Sequence, residues 1–178
     1  MLHTLFQRLL GREDPILTRL ASVPLFEDLS RRELCEIEQV MPRQSYGPGE
    51  TIFEQGRPGV GMFVVLSGGV EIVQEDEDGA RLKLAEIGDG AFFGEMALLD
   101  DAPWTASAVA TEETEVTVFT RPDLLTLAEQ RPHLGVKIVM HLSQIVAERL
   151  RRTNRALRET RDEVEAAQRE SEADSDAQ

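Results

Sequence analysis

Phe93-Gly94-Glu95-Met96-Ala97-Leu98-Leu99-Asp100-Asp101-Ala102-Pro103-Trp104-Thr105-Ala106 decides how this chain is read. A glycine–glutamate pair opens a short apolar helical turn. Gly94 has no Cβ, so its backbone can approach a neighbour closely. The N–H groups at the start of such a turn point outward and favour an anion. Glu95 is an acceptor-only carboxylate at neutral pH. Met96, Ala97, Leu98 and Leu99 read as packing the turn onto a core, so that only their backbones face a ligand. Pro103 then leads into Trp104, Thr105 and Ala106: an indole, a hydroxyl, and a side chain small enough to leave its N–H accessible.

Short strands separated by glycine-rich turns flank this stretch, from Tyr46 to Thr120. Thr51–Glu54, Met62–Leu66, Gly69–Gln74, Arg81–Ile87, Ser107–Ala110 and Glu115–Phe119 read as strands. Gly47-Pro48-Gly49 is a turn, residues 56–61 a loop, and Asp78-Gly79 the tip of an acidic hairpin. Gly68 and Gly69 permit a tight turn, and Gly88 and Gly90 flank the corner into the opening stretch. Many short strands at regular spacing predict a small sandwich or barrel, closed as a jelly roll closes its edges.

Helices stand on either side. Leu2, Leu5, Phe6, Leu9 and Leu10 share one face of an N-terminal helix within residues 1–14, read as packing on its own domain. Ile16–Ser22 starts a second piece. Ser30 and Glu33 form a capping box for a helix that turns Leu34, Ile37 and Met41 inward and stops before Pro42. After the strands, Arg121-Pro122-Asp123 starts a helix to about Gln130, and Pro132 precedes a long one from about Leu134 to Gln168. Leu150, Leu157 and Val164 recur every seven residues on it, beside a row of Val146, Thr153, Thr160 and Ala167. That is a coiled-coil-like seam weakened by two threonines. At 1.5 Å per residue the helix is roughly 50 Å long, more than one small domain covers, so a parallel homodimer is expected. Ser171–Gln178 reads as an acidic, disordered tail.

Composition sets bounds. The 178 residues carry 19 basic and 33 acidic side chains, a net charge of -14, which repels phosphate backbones and anionic membranes. No apolar run approaches the roughly 20 residues that span a bilayer, and the N-terminus does not read as a signal peptide. A single cysteine, Cys35, excludes an internal disulfide and reads as a small structural residue. The expected compartment is the reducing cytoplasm. His3, His133 and His141 are scattered, with no metal spacing, and Thr105 has no activator nearby, so no enzyme is expected.

Taken together, "VPLFEDLSRRELC" (23–35), "YGPGETIFEQG", "GMFVVLSGGVEIV" and "IGDGAFFGEMALLDDAPWTASAVA" resemble the cyclic nucleotide-binding domain of the catabolite-activator and protein-kinase regulatory-subunit superfamily. The resemblance covers about residues 15–160. It implies a mainly β fold with flanking helices: an N-terminal helix (1–14), a jelly roll or double-stranded β-helix with helical flanks (15–133), a long C-terminal helix serving as lid and dimer stalk (134–170), and the tail (171–178). The opening stretch then becomes a phosphate-binding cassette. By resemblance Glu95 takes a ribose 2′-hydroxyl, Thr105 and Ala106 meet the cyclic phosphate, and Gly94, Met96 and Ala97 line the turn. Thr153 and Asn154 on the long helix are similar to residues that contact the purine. The implied ligand is a cyclic nucleotide, cyclic AMP or cyclic GMP, or a cyclic dinucleotide.

Trp104 departs from this pattern, because the family has Arg there. A guanidinium offers a charged fork of donors, whereas indole offers one uncharged N–H. One charge-assisted hydrogen bond is worth about 1.5–3 kcal/mol, roughly ten- to hundred-fold in affinity. Three readings stay open: a degenerate pocket in a dimerising scaffold; a ligand held differently, Trp104 stacking on a base while Arg57, Arg81 or Lys83 neutralises phosphate; or an indole turned outward or into the core, with Gly94, Glu95 and Thr105 keeping affinity.

Transcription factors of the superfamily continue into a winged helix-turn-helix, and this chain ends within a turn or two of its long helix. The cluster Arg149, Arg151, Arg152, Arg155, Arg158 and Arg161 reads as solvating a stalk rather than gripping DNA. The expectation is a stand-alone sensor domain: a homodimer through the C-terminal helix that reports to an unidentified protein effector, with no direct nucleic-acid or membrane partner.

Overall fold

A computed structural model of the chain describes residues 15–176, with side chains described through Arg161. The expected N-terminal helix, at 1–14, lies outside the described residues. The chain divides into two units, residues 1–141 and 142–178, each described by itself.

The first unit opens with α1 (Pro15–Ser22), a 3-10 turn (Pro24–Phe26) and α2 (Arg31–Glu38). Eight strands follow: β1 (Arg43–Tyr46), β2 (Thr51–Phe53), β3 (Gly61–Ser67), β4 (Val70–Glu75), β5 (Arg81–Ile87), β6 (Phe92–Phe93), β7 (Ser107–Ala110) and β8 (Thr114–Thr120). A second 3-10 turn, Glu95–Leu98, lies between β6 and β7. The strands make two antiparallel four-stranded sheets, ordered β1-β8-β3-β6 and β2-β7-β4-β5. Phe63, Val65, Val116 and Val118 of the first sheet and Val70 and Ala108 of the second share one buried cluster, so the core sits between the sheets.

β3 is buried along almost its whole length because it is covered on both faces. Alternation sends Phe63 and Val65 into the cluster and Met62, Val64 and Leu66 the other way. On that helical side Phe26 meets Phe119 edge-on, with centroids 6.0 Å apart. The eight strands are the number the resemblance implies, but two of them carry no local signal in the sequence. β1 pairs with β8 from Arg43↔Thr117 to Tyr46↔Thr114, but Arg43, Gln44 and Ser45 are exposed and show no apolar alternation. β6 is too short, at two residues, to carry a pattern.

The capping box of α2 is present: Glu33 Oε2 accepts from the Ser30 N–H at 2.7 Å and the Ser30 hydroxyl accepts from the Glu33 N–H at 3.4 Å. Met41 is buried as expected, but it lies three residues past the end of α2 rather than on it. Thr120 and Asp123 build a second box at the head of α3 (Arg121–Gln130). The long helix α4 is Pro132–Asp176; it begins two residues before the expected Leu134 and takes in residues of the acidic tail.

Within the first unit, α3 and the root of α4 meet at a very close contact. A Cβ on Gly135 would stand 2.6 Å from the Ala128 Cβ and 2.7 Å from its Cα. The same root is clamped to α2 and to the segment before it. Lys137 Nζ lies 3.0 and 3.3 Å from the two Glu33 carboxylate oxygens and 3.3 Å from the Asp28 carbonyl oxygen. One turn on, the His141 ring nitrogens lie 3.3 Å from the Leu25 carbonyl oxygen and 3.2 Å from the Asp28 carboxylate. In the second unit Glu148 meets Arg151, Arg152 and Arg155 along the helix.

Ser30's hydroxyl and N–H, and then Lys137, hold the Glu33 carboxyl at about 2, below its ordinary 4.5. A depressed carboxyl stabilises the fold fully above its unfolded value, and the contribution fades as pH falls towards 2. Glu33→Gln keeps the capping acceptor and loses the charge. We expect it to cost about 1–2 kcal/mol in urea unfolding at pH 7, with the difference from wild type shrinking between pH 4.5 and 2.5. Gly135→Val, which forces a side chain into the Ala128 backbone, is expected to lower stability by about 2–3 kcal/mol in the same measurement.

Candidate functional site

The cassette is built on β6 and its 3-10 turn. Gly94 is left-handed, at φ 77°, a conformation glycine adopts without penalty. It turns the chain so that Glu95, Ala97 and Leu98 face inward, while Met96 and Leu99 stay exposed. The expectation that all four apolar residues pack onto the barrel is thus half corrected: a turn this short has one inner face. Glu95 is fully buried at the head of the turn, and a carboxylate tolerates burial only where hydrogen bonds or charge meet it.

Trp104 occupies the middle of the site. It is 9% exposed and belongs to the cluster between the sheets. Its indole stacks on Phe53 with ring centroids 3.9 Å apart and planes 11° from parallel, and lies 6.3 Å from Phe63. Phe63 stacks in turn on Phe93 at 5.3 Å. A Cβ on Gly94 would meet the indole Cη2 at 3.0 Å and Cζ3 at 3.2 Å. The close approach that Gly94 permits is therefore taken by this chain's own tryptophan.

The loop at 54–60 holds the indole's backbone. The Trp104 N–H donates to the Arg57 carbonyl at 2.8 Å, and the Trp104 carbonyl accepts from the Gly56 N–H at 2.8 Å. The Gly59 N–H donates to Ala102 at 3.3 Å, and Pro58 and Pro103 form a bridge. Gly59 itself is pressed on the cassette: a Cβ there would stand 2.9 Å from the Ala97 Cβ. Gln55 ties the loop onward, its side chain exchanging hydrogen bonds of 2.9 Å with the Glu75 backbone. Residues read from sequence as a plain glycine-proline loop are a strap over the cassette.

Gly94 and Trp104 are brought together here, Ala97 shares the buried cluster with Trp104, and Glu95 and Ala106 are buried as well. Met96 is exposed at the rim. Thr105 is exposed, and its carbonyl accepts from the Gln74 amide at 3.3 Å. Thr153 and Asn154 are exposed residues of the second unit. Among the candidate cations, Lys83 pairs with Glu71 and Glu86, and Arg81 with Glu75. Arg57 meets Glu54 at 3.3 Å and shares a cleft with Trp104. Sequence reasoning missed Phe53. Its only signal was an aromatic at the end of a strand running into the strap.

Two four-stranded antiparallel sheets around a glycine–glutamate turn, with helices before and after, define the class of a jelly-roll domain with helical flanks. The cyclic nucleotide-binding domain family matches residues 43–131, half of the chain, and the chain belongs to that family. A cyclic AMP receptor protein of Thermus thermophilus is 38% identical over 72% of this chain and 57% of its own length. Glutaminase 1 of Bradyrhizobium diazoefficiens is 35% identical over 75% of this chain and 21% of its own. The crystal structure of a cyclic nucleotide-binding domain from Methylobacillus flagellatus superposes with a TM-score of 0.69 at 29% identity, covering 78% of each chain. The chain thus spans little more than half of the receptor protein and a fifth of the glutaminase. Among the described residues, no helix is long and apolar enough to cross a membrane.

If the indole is a core element, Trp104→Ala will cost about 3–5 kcal/mol, read as a fall in the urea midpoint. Phe53→Leu, which removes the stack and keeps most of the volume, will cost about 1–2 kcal/mol.

Proposed function

We propose that this domain is a regulatory module of the cyclic nucleotide-binding family that has exchanged phosphate recognition for a built-in plug and acts through protein contacts. The contacts proposed are a second copy of the chain, through the long helix, and an unidentified effector protein. The observation that carries this reading is Trp104, buried and stacked on Phe53 over Gly94, where the family places a cation for the cyclic phosphate. The domain is read as a binding and signalling element rather than an enzyme. The indole is turned into the core, as the third possibility had it, and its six-membered ring stands against Gly94, the close approach a cassette ligand would need, which favours the degenerate pocket.

The support for homodimerisation lies in α4. Leu150 and Leu157, one heptad apart, are 60% and 67% exposed in the single chain, and Thr153 lies between them on the same seam. Apolar residues repeated at that spacing seek a second helix. Val164 and Ala167, which continue the seam, lie beyond the described side chains.

Calorimetric titration with cyclic AMP, cyclic GMP and a cyclic dinucleotide tests the plug. We expect wild type to give no heat of binding below about 1 mM and Trp104→Arg to gain binding by at least the ten- to hundred-fold that one charge-assisted bond provides. Micromolar binding by wild type that Trp104→Arg abolishes would make the indole a ligand contact and refute the reading. For the stalk, sedimentation equilibrium should find a wild-type dimer, and Leu150→Glu with Leu157→Glu should give a monomer with an unchanged fold by circular dichroism.

A further inference from the structure

The indole that fills the cassette also floors a different space. A cleft of about 520 Å³ opens where the edge strands β1 and β2 of the two sheets come near each other. Its walls are mostly apolar: Ile52, Phe53, Pro58, Val60, Phe63, Trp104 and Val118 contribute, and the stacked Phe53–Trp104 pair belongs to it. Gly94, Glu95, Thr105 and Ala106 do not line it, so it is not the sugar-phosphate corner of the cassette. The volume falls within the few hundred to a thousand Å³ that hold small organic ligands.

The polar groups on its rim are Gln44, Thr51, Arg57, Thr120 and the Glu54 carboxylate, which accepts from Arg57. Gln44 has its amide oxygen occupied by the Tyr46 hydroxyl at 2.6 Å, which leaves the NH₂ end to donate. Thr51 brings a hydroxyl. Arg57 meets Glu54 through Nε, which leaves the terminal guanidinium nitrogens on the solvent side of a side chain that is 74% exposed. The Thr120 hydroxyl, by contrast, is committed to Asp123 in the cap of α3. An apolar floor with aromatic rings and three donors at the mouth suits a ring-bearing ligand with one acceptor group. Glu54 balances most of the Arg57 charge, and the chain carries a net charge of -14. A single negative charge is tolerated there, and a dianion or polyanion is repelled.

We propose that this cleft is a binding site for a small aromatic monoanion, such as an aromatic carboxylate or sulfonate, with its ring against Phe53 and Trp104 and its anionic group at Arg57. The proposal goes beyond the plugged cassette and tests separately from it. Trp104 is the sole tryptophan of the chain, so it reports on its own cleft.

The probe is 1-anilinonaphthalene-8-sulfonate, titrated into the full chain with excitation of Trp104. We expect saturable energy transfer with one site per chain in native buffer. Arg57→Ala, at an exposed position, should weaken binding about tenfold, the value of one charge-assisted bond. Thr51→Phe, which fills the mouth from an exposed strand position, should abolish it. Naphthalene-2-carboxylate should displace the probe, and cyclic AMP should not. Absence of saturable transfer, transfer that both variants leave intact, or displacement by cyclic AMP would each overturn the proposal. The last would also return the ligand to the cassette, whereas failure of the probe alone leaves the plugged cassette standing.

Discussion

The stack of Trp104 on Phe53 fixes what this domain can do. It joins the C-terminal part of the cassette to the end of β2, and so closes the space between the two sheets from the inside. An aromatic pair of this geometry is worth about 0.5–1.5 kcal/mol beyond the area it buries. The larger consequence is spatial. The six-membered ring of the indole stands against Gly94, where a Cβ would come within 3.0 Å. Gly94 is thus required twice, by its left-handed φ and by the ring beside it. A cassette glycine that would otherwise admit a ligand admits a side chain.

The strap at 54–60 makes sense as the partner of that substitution. Trp104 is gripped on both sides by backbone hydrogen bonds to Gly56 and Arg57, and Gly59 is pressed on Ala97. A planar side chain of this size in a core must be held in one rotamer to pack at the density of a protein interior. The two hydrogen bonds, together with the Pro58–Pro103 bridge, fix its backbone and so its direction. Core filling and strap fixation are one local arrangement, and removing either leaves the other without its counterpart.

What was legible from sequence followed from periodicity and punctuation. The capping box at Ser30, the helix start at Arg121-Pro122-Asp123, the hairpin at Gly79 and six of the eight strands carry local signals, and the structure bears them out. β1 was hidden because its residues are polar and exposed, so its pairing with β8 is a tertiary fact without a local pattern. Gly94, Glu95 and Trp104 could be named as one site because the cassette is contiguous. The place of the indole could not, since it depends on Phe53, fifty-one positions away, and on a strap whose glycines read equally well as an ordinary loop. Contact-making residues distant in sequence and lacking a motif are what a single chain conceals.

A plug changes how such a domain can be regulated. A ligand shifts a conformational equilibrium only by its differential affinity for the two states. An indole carried on the chain is present in every state at the same effective concentration, so it biases the equilibrium once and permanently. The elements around it are contiguous: Asp101, at the end of the cassette, meets Arg121 at 3.2 Å, the Arg121 N–H reaches the Val60 carbonyl in the strap, and Arg121 opens α3, whose Ala128 presses on Gly135 at the root of α4. On the proposed reading the side of this chain of contacts that faces the cassette is held still. Any input then has to enter from the other end, through what binds α4, or through a site on the outer face of the Phe53–Trp104 pair where a ligand can still come and go.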